Sequence, residues 1–395
     1  MKICSFRPAA HALIAVAAYL TLATNAWAGP EFKLLHAFDM GKYQGGGLWG
    51  SLAIDPEGNL YGTAAGGGTH GYGIVFELTP LPDGHWTETV LHNFNCKEEE
   101  GCIPSAGLTI DSSGNLYGMT NIAVFELSPG QSGWTISVLN DQQGGTENLI
   151  LDQAGNLYAP FGAGEYSQGA ISELVKKENW TADTLFSFCS GGYPCADGAD
   201  PIGAVTWGPG GSLYGTTVWG GSKGYGIVFQ LTPQQDGTWK ETILHSFPDG
   251  ANDGRKVYDA VTLDRSGNIY GATAQGGTKN CGSIFKLTHE VTGWKETILH
   301  ECGSNNLTFD ANGNLWGTTP GGGKYGYGTV FELSPQKSGK WKYTVVHQFN
   351  GADGASPNAA ITFDEQGNLY GTTVLGGPGN SVGVVFEITT TPSPQ

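Results

Sequence analysis

One short phrase, Gly-Asn-Leu-Tyr-Gly or a close variant of it, occurs seven times along the chain. The copies are 41 to 56 residues apart. A repeat of this length indicates one supersecondary unit that packs on its neighbours, with loops of variable length between shared strands. The second residue of the phrase falls at Asn59, Asn115, Asn156, Ser212, Asn268, Asn314 and Asn368.

Each copy of the unit contains four short β-strands, which we name a to d in chain order. Strand a is an alternating stretch such as 52–54, and a turn of the form Asp-x-x-Gly-Asn leads from it to strand b, Leu-Tyr-Gly-Thr-Thr. A Gly-rich loop precedes strand c, for example 74–78, and strand d starts near a Trp and ends in Leu-His-x-Phe. Four antiparallel strands in about 50 residues are typical of a β-propeller blade, and an open solenoid is the rival interpretation.

The two ends of the chain decide between a closed ring and an open solenoid. The seventh unit stops after its strand c at 384–388, whereas residues 31–38 resemble a strand d with no strands before it. Pairing this orphan strand with the last unit would complete that blade and remove a free sheet edge. We therefore predict an all-β fold, a seven-bladed β-propeller of four-stranded blades whose ring is closed by the N-terminal strand pairing in the last blade.

The first 28 residues are typical of a secretory signal peptide. Lys2 and Arg7 precede an apolar run over 9–22, and Ala26-Trp27-Ala28 forms a small-x-small cleavage site. The run is too short for a membrane-spanning helix, and an uncleaved anchor is the alternative. We expect cleavage after Ala28, a single propeller domain over 29–389, a flexible tail over 390–395, and a secreted or periplasmic protein with no membrane span in its mature chain.

Charge and cysteine content restrict the partners and the compartment. Without Lys2 and Arg7 the chain has 17 basic and 36 acidic residues, a net charge of −19, which argues against nucleic acid as a partner. Six cysteines remain once Cys4 leaves with the signal peptide, and an even number in an exported chain suggests disulfides. From their spacing and repeat positions we pair Cys96 with Cys102, Cys189 with Cys195, and Cys281 with Cys302.

The unit Gly-Asn-Leu-Tyr-Gly-Thr-Thr, followed by Gly-Gly and then by Gly-x-Val-Phe-Glu-Leu-Thr-Pro, resembles the Gloeo/Verruco repeat of exported bacterial proteins. The resemblance covers nearly the whole mature chain, and that family is similar to the "choice-of-anchor" tandem-repeat group. It implies an exported, β-propeller-like repeat protein. The C-terminal residues lack the sorting signal of that group, so the resemblance does not extend to surface attachment. It carries over no activity and no catalytic residue.

The loops that join strand d to the next strand a, and strand b to strand c, should lie on one face of the ring, where binding sites are expected. We interpret the mature protein as a monomeric, non-catalytic binding module for a glycan or an envelope protein. The alternative is a secreted carbohydrate-active enzyme, a hydrolase or a lyase, for which we predict no catalytic residue. Aromatic side chains that could bind sugar rings on or near this face are Trp49, Tyr72, Tyr166, Tyr193, Trp219, Tyr225, Tyr258 and Tyr325.

Two sets of repeated polar residues suggest metal binding, and both have a structural interpretation. His36, His92, His245, His300 and His347 share one position in strand d, so the ring should spread them apart rather than gather them around an ion. We expect no cofactor, with Ca²⁺ as the alternative and capping of local amides as the structural role. The Ca²⁺ candidates, one in each of four d–a loops, are Glu100, Asp197, Asp253 and Asp353.

Overall fold

The computed structural model describes residues 30–39, 45–96, 99–141, 148–248, 254–303, 305–379 and 381–390. The expected signal peptide and most of the expected tail lie outside these residues. Seven four-stranded antiparallel sheets, the blades, form a ring. Among the described residues the helical structure is limited to one 3-10 turn, Pro209–Gly211, and none of it is long and apolar enough to cross a membrane. The predicted seven-bladed all-β propeller is therefore confirmed.

The strands of the first four blades follow the predicted order a, b, c and d. Blade 1 contains β2 (Ala53–Ile54), β3 (Leu60–Ala64), β4 (Ile74–Pro80) and β5 (Trp86–Asn93). Blade 2 contains β6 (Thr109–Ile110), β7 (Leu116–Met119), β8 (Val124–Gly130) and β9 (Gly133–Asn140). Blade 3 contains β10 (Ile150–Leu151), β11 (Leu157–Pro160), β12 (Ala170–Val175) and β13 (Thr181–Ser187). Blade 4 contains β14 (Thr206–Trp207), β15 (Leu213–Thr217), β16 (Ile227–Pro233) and β17 (Trp239–Ser246).

The remaining blades include one short extra sheet, formed by β18 (Gly254–Arg255) and β21 (Gln275–Gly276). Blade 5 contains β19 (Thr262–Leu263), β20 (Ile269–Thr273), β22 (Ser283–Glu290) and β23 (Gly293–Glu301). Blade 6 contains β24 (Asn305–Phe309), β25 (Leu315–Thr319), β26 (Thr329–Pro335) and β27 (Trp341–Gln348). Blade 7 contains β28 (Thr362–Phe363), β29 (Leu369–Thr373), β30 (Ser381–Thr389) and β1 (Glu31–Asp39).

The ring closes through β1, the first strand of the chain, which is the outer strand of blade 7. It runs antiparallel to β30, with Phe32 opposite Ile388 and Leu34 opposite Phe386. The sheet order β1-β30-β29-β28 places it where the other blades have their strand d. This pairing confirms the predicted closure, and it leaves no unpaired edge on strand c of the last blade.

Aromatic side chains pack between neighbouring blades at each boundary, which we call a seam. Phe38, at the end of the outer strand of blade 7, lies 4.8 Å from Phe76 in strand c of blade 1, measured between ring centroids. Tyr61 in strand b of blade 1 lies 6.2 Å from Trp134 in blade 2, in edge-to-face geometry. Equivalent Phe and Tyr–Trp contacts recur at other seams. The strand-b Tyr and the strand-c Phe therefore help to fill the space between blades.

A hydrogen-bond network explains the turn between strands a and b. The carboxylate of Asp55 accepts hydrogen bonds from the main-chain and side-chain nitrogens of Asn59, both at 2.8 Å, and from the Tyr61 hydroxyl at 2.9 Å. Five other blades repeat the arrangement. In blade 4 the Asp is replaced by Gly208, where a Cβ atom would lie 2.2 Å from the Tyr214 ring. The repeated Asp is therefore a structural turn residue.

Three disulfides join the predicted cysteine pairs. The Cα–Cα distances are 5.0 Å for Cys96–Cys102, 4.3 Å for Cys189–Cys195 and 4.5 Å for Cys281–Cys302. The first two close short loops between strand d of one blade and strand a of the next. The third connects the open ends of the β22–β23 hairpin in blade 5. All three pairings predicted from the sequence are confirmed.

Candidate functional site

The b–c loops and the d–a loops lie at the same end of the ring, which we call the loop face. Isolated bridges join the two kinds of loop, as between Ala199 and Trp219 and between Ala355 and Leu375. The a–b and c–d turns form the opposite end, the turn face. The predicted sharing of one face by the two sets of loops is therefore confirmed.

Residues in left-handed backbone conformation tie the loop face together at its seams. Lys256 has φ +60°, and its N–H donates to the Tyr225 carbonyl in the b–c loop of blade 4 at 3.1 Å. Its own carbonyl accepts from the N–H of Ala274 in the b–c loop of blade 5 at 3.0 Å. A residue other than Gly is uncommon in this conformation. Here two hydrogen bonds, one to each neighbouring b–c loop, hold the residue in it. Asp200 and Ser356 make the same pair of hydrogen bonds, also with positive φ. Ile103 makes the equivalent of the first one, from its N–H to a carbonyl in the preceding b–c loop. We call this arrangement the backbone bridge.

The backbone hydrogen bonds of the bridging residue recur from seam to seam, whereas its side chain differs at each seam. Ile103, Asp200, Lys256 and Ser356 present an apolar, an acidic, a basic and a hydroxyl group at equivalent places. A rigid frame that carries different side chains is suited to specific recognition, because little conformational entropy is lost when a ligand binds. Sequence reasoning missed this feature, since the bridge depends on hydrogen bonds between loops of different blades.

The central channel is narrow just below the loop face. A cavity of about 100 Å³ is lined there by small side chains, among them Gly50, Ser51 and Ala260. The Asn148 side chain crosses part of it, donating to Ser51 Oγ at 2.6 Å and accepting from the Gly107 N–H at 2.9 Å. A ligand of sugar size would therefore bind at the mouth of the channel rather than inside it.

The predicted aromatic residues are on the loop face, and the structure groups only some of them. Trp49 and Tyr258 occupy equivalent positions at the channel mouth and are exposed. Trp219 is 42% exposed, and the Lys256 ammonium lies 4.1 Å from its ring centroid. Tyr225 is half-buried beneath Arg255, at 5.3 Å. The seam between blades 4 and 5 thus places Trp219 and Tyr225 each beside a cation.

The other predicted aromatic residues are distributed around the ring. Tyr72, Tyr166 and Tyr325 lie in the b–c loops of blades 1, 3 and 6, and each is exposed. Tyr193 lies within the loop closed by the Cys189–Cys195 disulfide and is almost fully exposed. Exposed Tyr327 was not predicted, although the sequence places it two residues after Tyr325. These residues form no single cluster with the blade 4–5 seam.

The described Ca²⁺ candidates have hydrogen bonds within their own loops. Glu100 accepts from the Asn95 N–H at 3.1 Å and lies 3.1 Å from His92 Nε2. Asp197 accepts from the N–H groups of Cys189 and Ser190, at 3.0 and 2.8 Å. Asp353 accepts from the Asn350 N–H at 2.8 Å. Asp253 lies outside the described residues, and the described residues contain no group of three or more His, Cys, Asp or Glu suited to a metal ion.

The strand-d histidines are spread around the ring, one at each of five seams. His36 and His245 each face a glutamate of the next blade, Glu88 at 3.4 Å and Glu296 at 3.8 Å. At the seam between blades 3 and 4, Phe186 replaces the histidine. The glutamate at the equivalent position of blade 4, Glu241, has a buried oxygen without a hydrogen bond, and burial together with the charge of Asp197 raises its pKa to about 8.

One carboxylate on the channel wall was missed by sequence reasoning. Asp259 follows Tyr258 at the channel mouth, and its carboxylate accepts a hydrogen bond from the Asn306 N–H. Burial raises the pKa of Asp259 to about 7. Equivalent positions in three other blades carry Gly50, Gly203 and Ala359, and this contrast is the sequence signal that could have identified it.

Comparisons with known proteins concern the family and the fold. The sequence profile described as the Gloeobacter/Verrucomicrobia repeat matches residues 21–192, 145–306 and 303–394. No functionally curated protein matches the sequence significantly.

Solved structures similar in fold include enzymes and a regulatory assembly. A streptogramin B lyase structure aligns with a TM-score of 0.56 at 14% sequence identity, and the alignment covers 93% of this chain and 100% of the lyase chain. An ancestral GH74 enzyme has 0.52 at 10% identity, covering 87% of this chain and 52% of its own. A chain of the mitotic checkpoint complex has 0.53 at 13% identity, covering 98% and 99%. At such low identity these similarities concern the fold alone.

Proposed function

The chain belongs to the Gloeobacter/Verrucomicrobia repeat family, and from this premise we propose that it is an exported, non-catalytic binding module that recognises a glycan on its loop face. The signal-peptide-like residues 1–28 and the three disulfides support export, because disulfides persist in oxidising compartments. An envelope protein is the other partner consistent with such a surface. The propeller supplies a rigid ring, and the specificity comes from the loops.

The observation that carries this proposal is the seam between blades 4 and 5. Trp219 is an exposed aromatic side chain on the b–c loop that the Lys256 backbone contacts, and exposed Tyr258 lies two residues after Lys256 in the d–a loop. Aromatic rings provide large contact areas with few rotatable bonds, so they bind sugar faces at a low entropic cost. Lys256, over the Trp219 ring, adds a charge-assisted donor for hydroxyl or carboxylate groups.

A glycan array tests this proposal on the mature chain, with and without EDTA. We expect selective binding without turnover, and we expect Trp219→Ala to weaken it about tenfold or more, by loss of an aromatic contact. Val291→Ala is the matched control, because Val291 is fully exposed in the c–d turn of blade 5 on the opposite face.

The array also separates the competing partners. Binding that Trp219→Ala leaves unchanged would contradict the loop-face site. Absence of glycan binding together with specific capture of one envelope protein would replace the glycan with a protein partner.

A hydrolase or lyase is the second candidate function, and Asp259 is the observation that favours it. A carboxyl group with a pKa of about 7 at the channel mouth is suited to general acid–base catalysis near neutral pH. A glycosidase of the usual kind needs a second carboxylate. Glu147 occupies the repeat position in blade 3 that Asp259 occupies in blade 5, as counted in the sequence from the turn Asp of each blade. Glu147 lies outside the described residues.

Turnover assays on a polysaccharide panel test the catalytic alternative. Hydrolysis or elimination by the native protein that both Asp259→Asn and Glu147→Gln abolish would establish it. If the native protein turns over no polymer that it binds, the catalytic alternative is rejected.

A further inference from the structure

A cleft on the turn face lies between blades 5 and 6, away from the loop-face site. It has a volume of about 720 Å³ and is formed by the a–b turns of both blades and the c–d turn of blade 6. Its walls include the aromatic rings of Phe309 and Trp341 and the amide side chains of Asn312 and Gln336. This volume is within the range of small-ligand sites, and the mixture of apolar walls with a few polar groups is typical of them.

The cleft contains a lysine where the other blades have an acid or an amide. Lys286 in strand c lies opposite Tyr270 of strand b, and its ammonium is 5.4 Å from that ring centroid. The residues at this register position in the other six blades are Glu77, Glu126, Glu173, Gln230, Glu332 and Glu387.

A second cation lines the same cleft. Arg265 occupies the residue after the turn Asp264, where no other blade has a basic residue. Neither Arg265 nor Lys286 forms an ion pair with any residue in the described ranges. The two acids of the cleft, Asp264 and Asp310, accept hydrogen bonds from their own turns and from the indole or hydroxyl of strand b. The cations are therefore the groups left to meet a ligand.

Comparison with the next seam shows how much the charge changes. Between blades 6 and 7 the equivalent groups are Asp310, Glu332 and Asp364, three carboxylates and no cation at these positions. Between blades 5 and 6, Lys286 and Arg265 balance the two aspartates. In a chain with a net charge of −17, this exchange makes the cleft locally neutral and so removes the repulsion that an anion would meet at the equivalent place between blades 6 and 7.

We propose that the turn-face cleft between blades 5 and 6 binds an anionic saccharide unit. Arg265 and Lys286 contact its carboxylate or sulfate group, Trp341 and Phe309 pack against its ring, and Asn312 and Gln336 bind its hydroxyls. Arginine is well suited to planar carboxylate and sulfate groups because its guanidinium donates two parallel hydrogen bonds. The proposal is independent of the loop-face site.

Calorimetric titration of the mature protein tests this site with four probes: digalacturonate, a sulfated disaccharide, a neutral disaccharide and inorganic sulfate. We expect at least one anionic disaccharide to bind in a way that Lys286→Glu weakens, and we expect that variant to leave any loop-face binding of the neutral disaccharide unchanged. The two anionic probes distinguish a carboxylate source from a sulfate source. Equally tight binding of inorganic sulfate would overturn the saccharide and leave a plain anion site.

Two variants locate the binding to this cleft. Lys286→Glu introduces the residue that five other blades have at this position. In blade 1 that residue, Glu77, accepts a hydrogen bond from Tyr61 at 3.2 Å, so the variant should fold, and we expect it to weaken binding about tenfold or more. Lys177→Glu makes the same change of charge in the exposed c–d turn of blade 3, away from both proposed sites, and it should leave binding unchanged. Arg265→Ala should weaken binding to a similar extent. Equal binding by native and Lys286→Glu proteins, at unchanged melting temperatures, would refute the proposal.

Discussion

At the scale of single residues, the blades depend on a glycine in strand b. A Cβ atom on Gly271 would lie 2.6 Å from Cζ of Phe285, a fully buried ring of strand c. In blade 3 the equivalent pair is Ala159 and Ser172, so the larger residue in strand b coincides with the loss of the ring in strand c. The glycine is therefore required by the aromatic core and not by the turn that precedes it.

We predict that Gly271→Ala destabilises the protein by about 1–3 kcal/mol, the usual cost of overpacking a core. Urea unfolding followed by tryptophan fluorescence measures the change. Gly321→Ala is the control, because a Cβ atom there meets no atom within 4 Å. Equal unfolding midpoints for Gly271→Ala and the native protein would contradict this account of the strand-b glycine.

A second prediction concerns Glu241 and pH. Burial and the charge of Asp197 raise the pKa of Glu241 to about 8 in the folded protein, whereas the ordinary pKa of 4.5 applies in the unfolded chain. Between these two pH values the folded state therefore keeps a proton that the unfolded state has lost. Stability linked to this group is therefore lost as the pH rises towards and through about 8. We expect Glu241→Gln to melt several degrees higher than the native protein at about pH 9, and at nearly the same temperature at about pH 5.

The matched control for this prediction is Glu296→Gln, at the equivalent position of blade 5. Its carboxylate faces the imidazole of His245, with Nε2 at 3.8 Å, where Glu241 faces the apolar ring of Phe186, so its removal should give a smaller gain in stability at high pH. Identical pH–melting curves for Glu241→Gln and the native protein would show that Glu241 is not a destabilising buried acid.

At the scale of elements, the d–a loops are shaped by local carboxylate caps. The carboxylate of Asp353 accepts hydrogen bonds from the main-chain and side-chain nitrogens of Asn350. It also lies 3.1 Å from His347 Nε2. We predict that Asp353→Ala lowers the free energy of unfolding by about 1–3 kcal/mol, by equal amounts in Ca²⁺ and in EDTA. Differential scanning calorimetry checks this. A Ca²⁺-dependent rise in the native melting temperature that Asp353→Ala abolishes would establish the calcium alternative.

Strands, ring closure and disulfides could be predicted because each rests on a local pattern repeated along the chain. The bridge at Lys256, its contact with Trp219 and the turn-face cleft could not, because they arise between loops or turns of different blades. Lys286 was visible in the sequence only after its register with the other strands c was known. The cleft beside Arg265 could not be foreseen either, because it requires the packing of two blades.

At the scale of the whole molecule, the ring depends on one strand from the N-terminus. Strand β1 pairs along most of its length with β30, and Phe32 and Phe38 pack on Phe349 and Phe76 in the two flanking blades. Its removal would expose strand c of blade 7 and open two seams at once. The loop face and the turn-face cleft both depend on the arrangement of neighbouring blades, which closure of the ring maintains.

Cross-linking the two ends of the chain tests closure most directly. Lys33 lies opposite Glu387 in the β1–β30 pair, and neighbouring antiparallel strands have Cα distances that a disulfide can bridge. We predict that a Lys33→Cys, Glu387→Cys double variant forms this disulfide on oxidation, detected by peptide mass spectrometry, with native-like melting. Lys33→Cys with Glu332→Cys, the equivalent strand-c residue of blade 6, should not form it. A failure of the first pair to cross-link, or cross-linking of the second pair to the same extent, would contradict the closed seven-bladed ring.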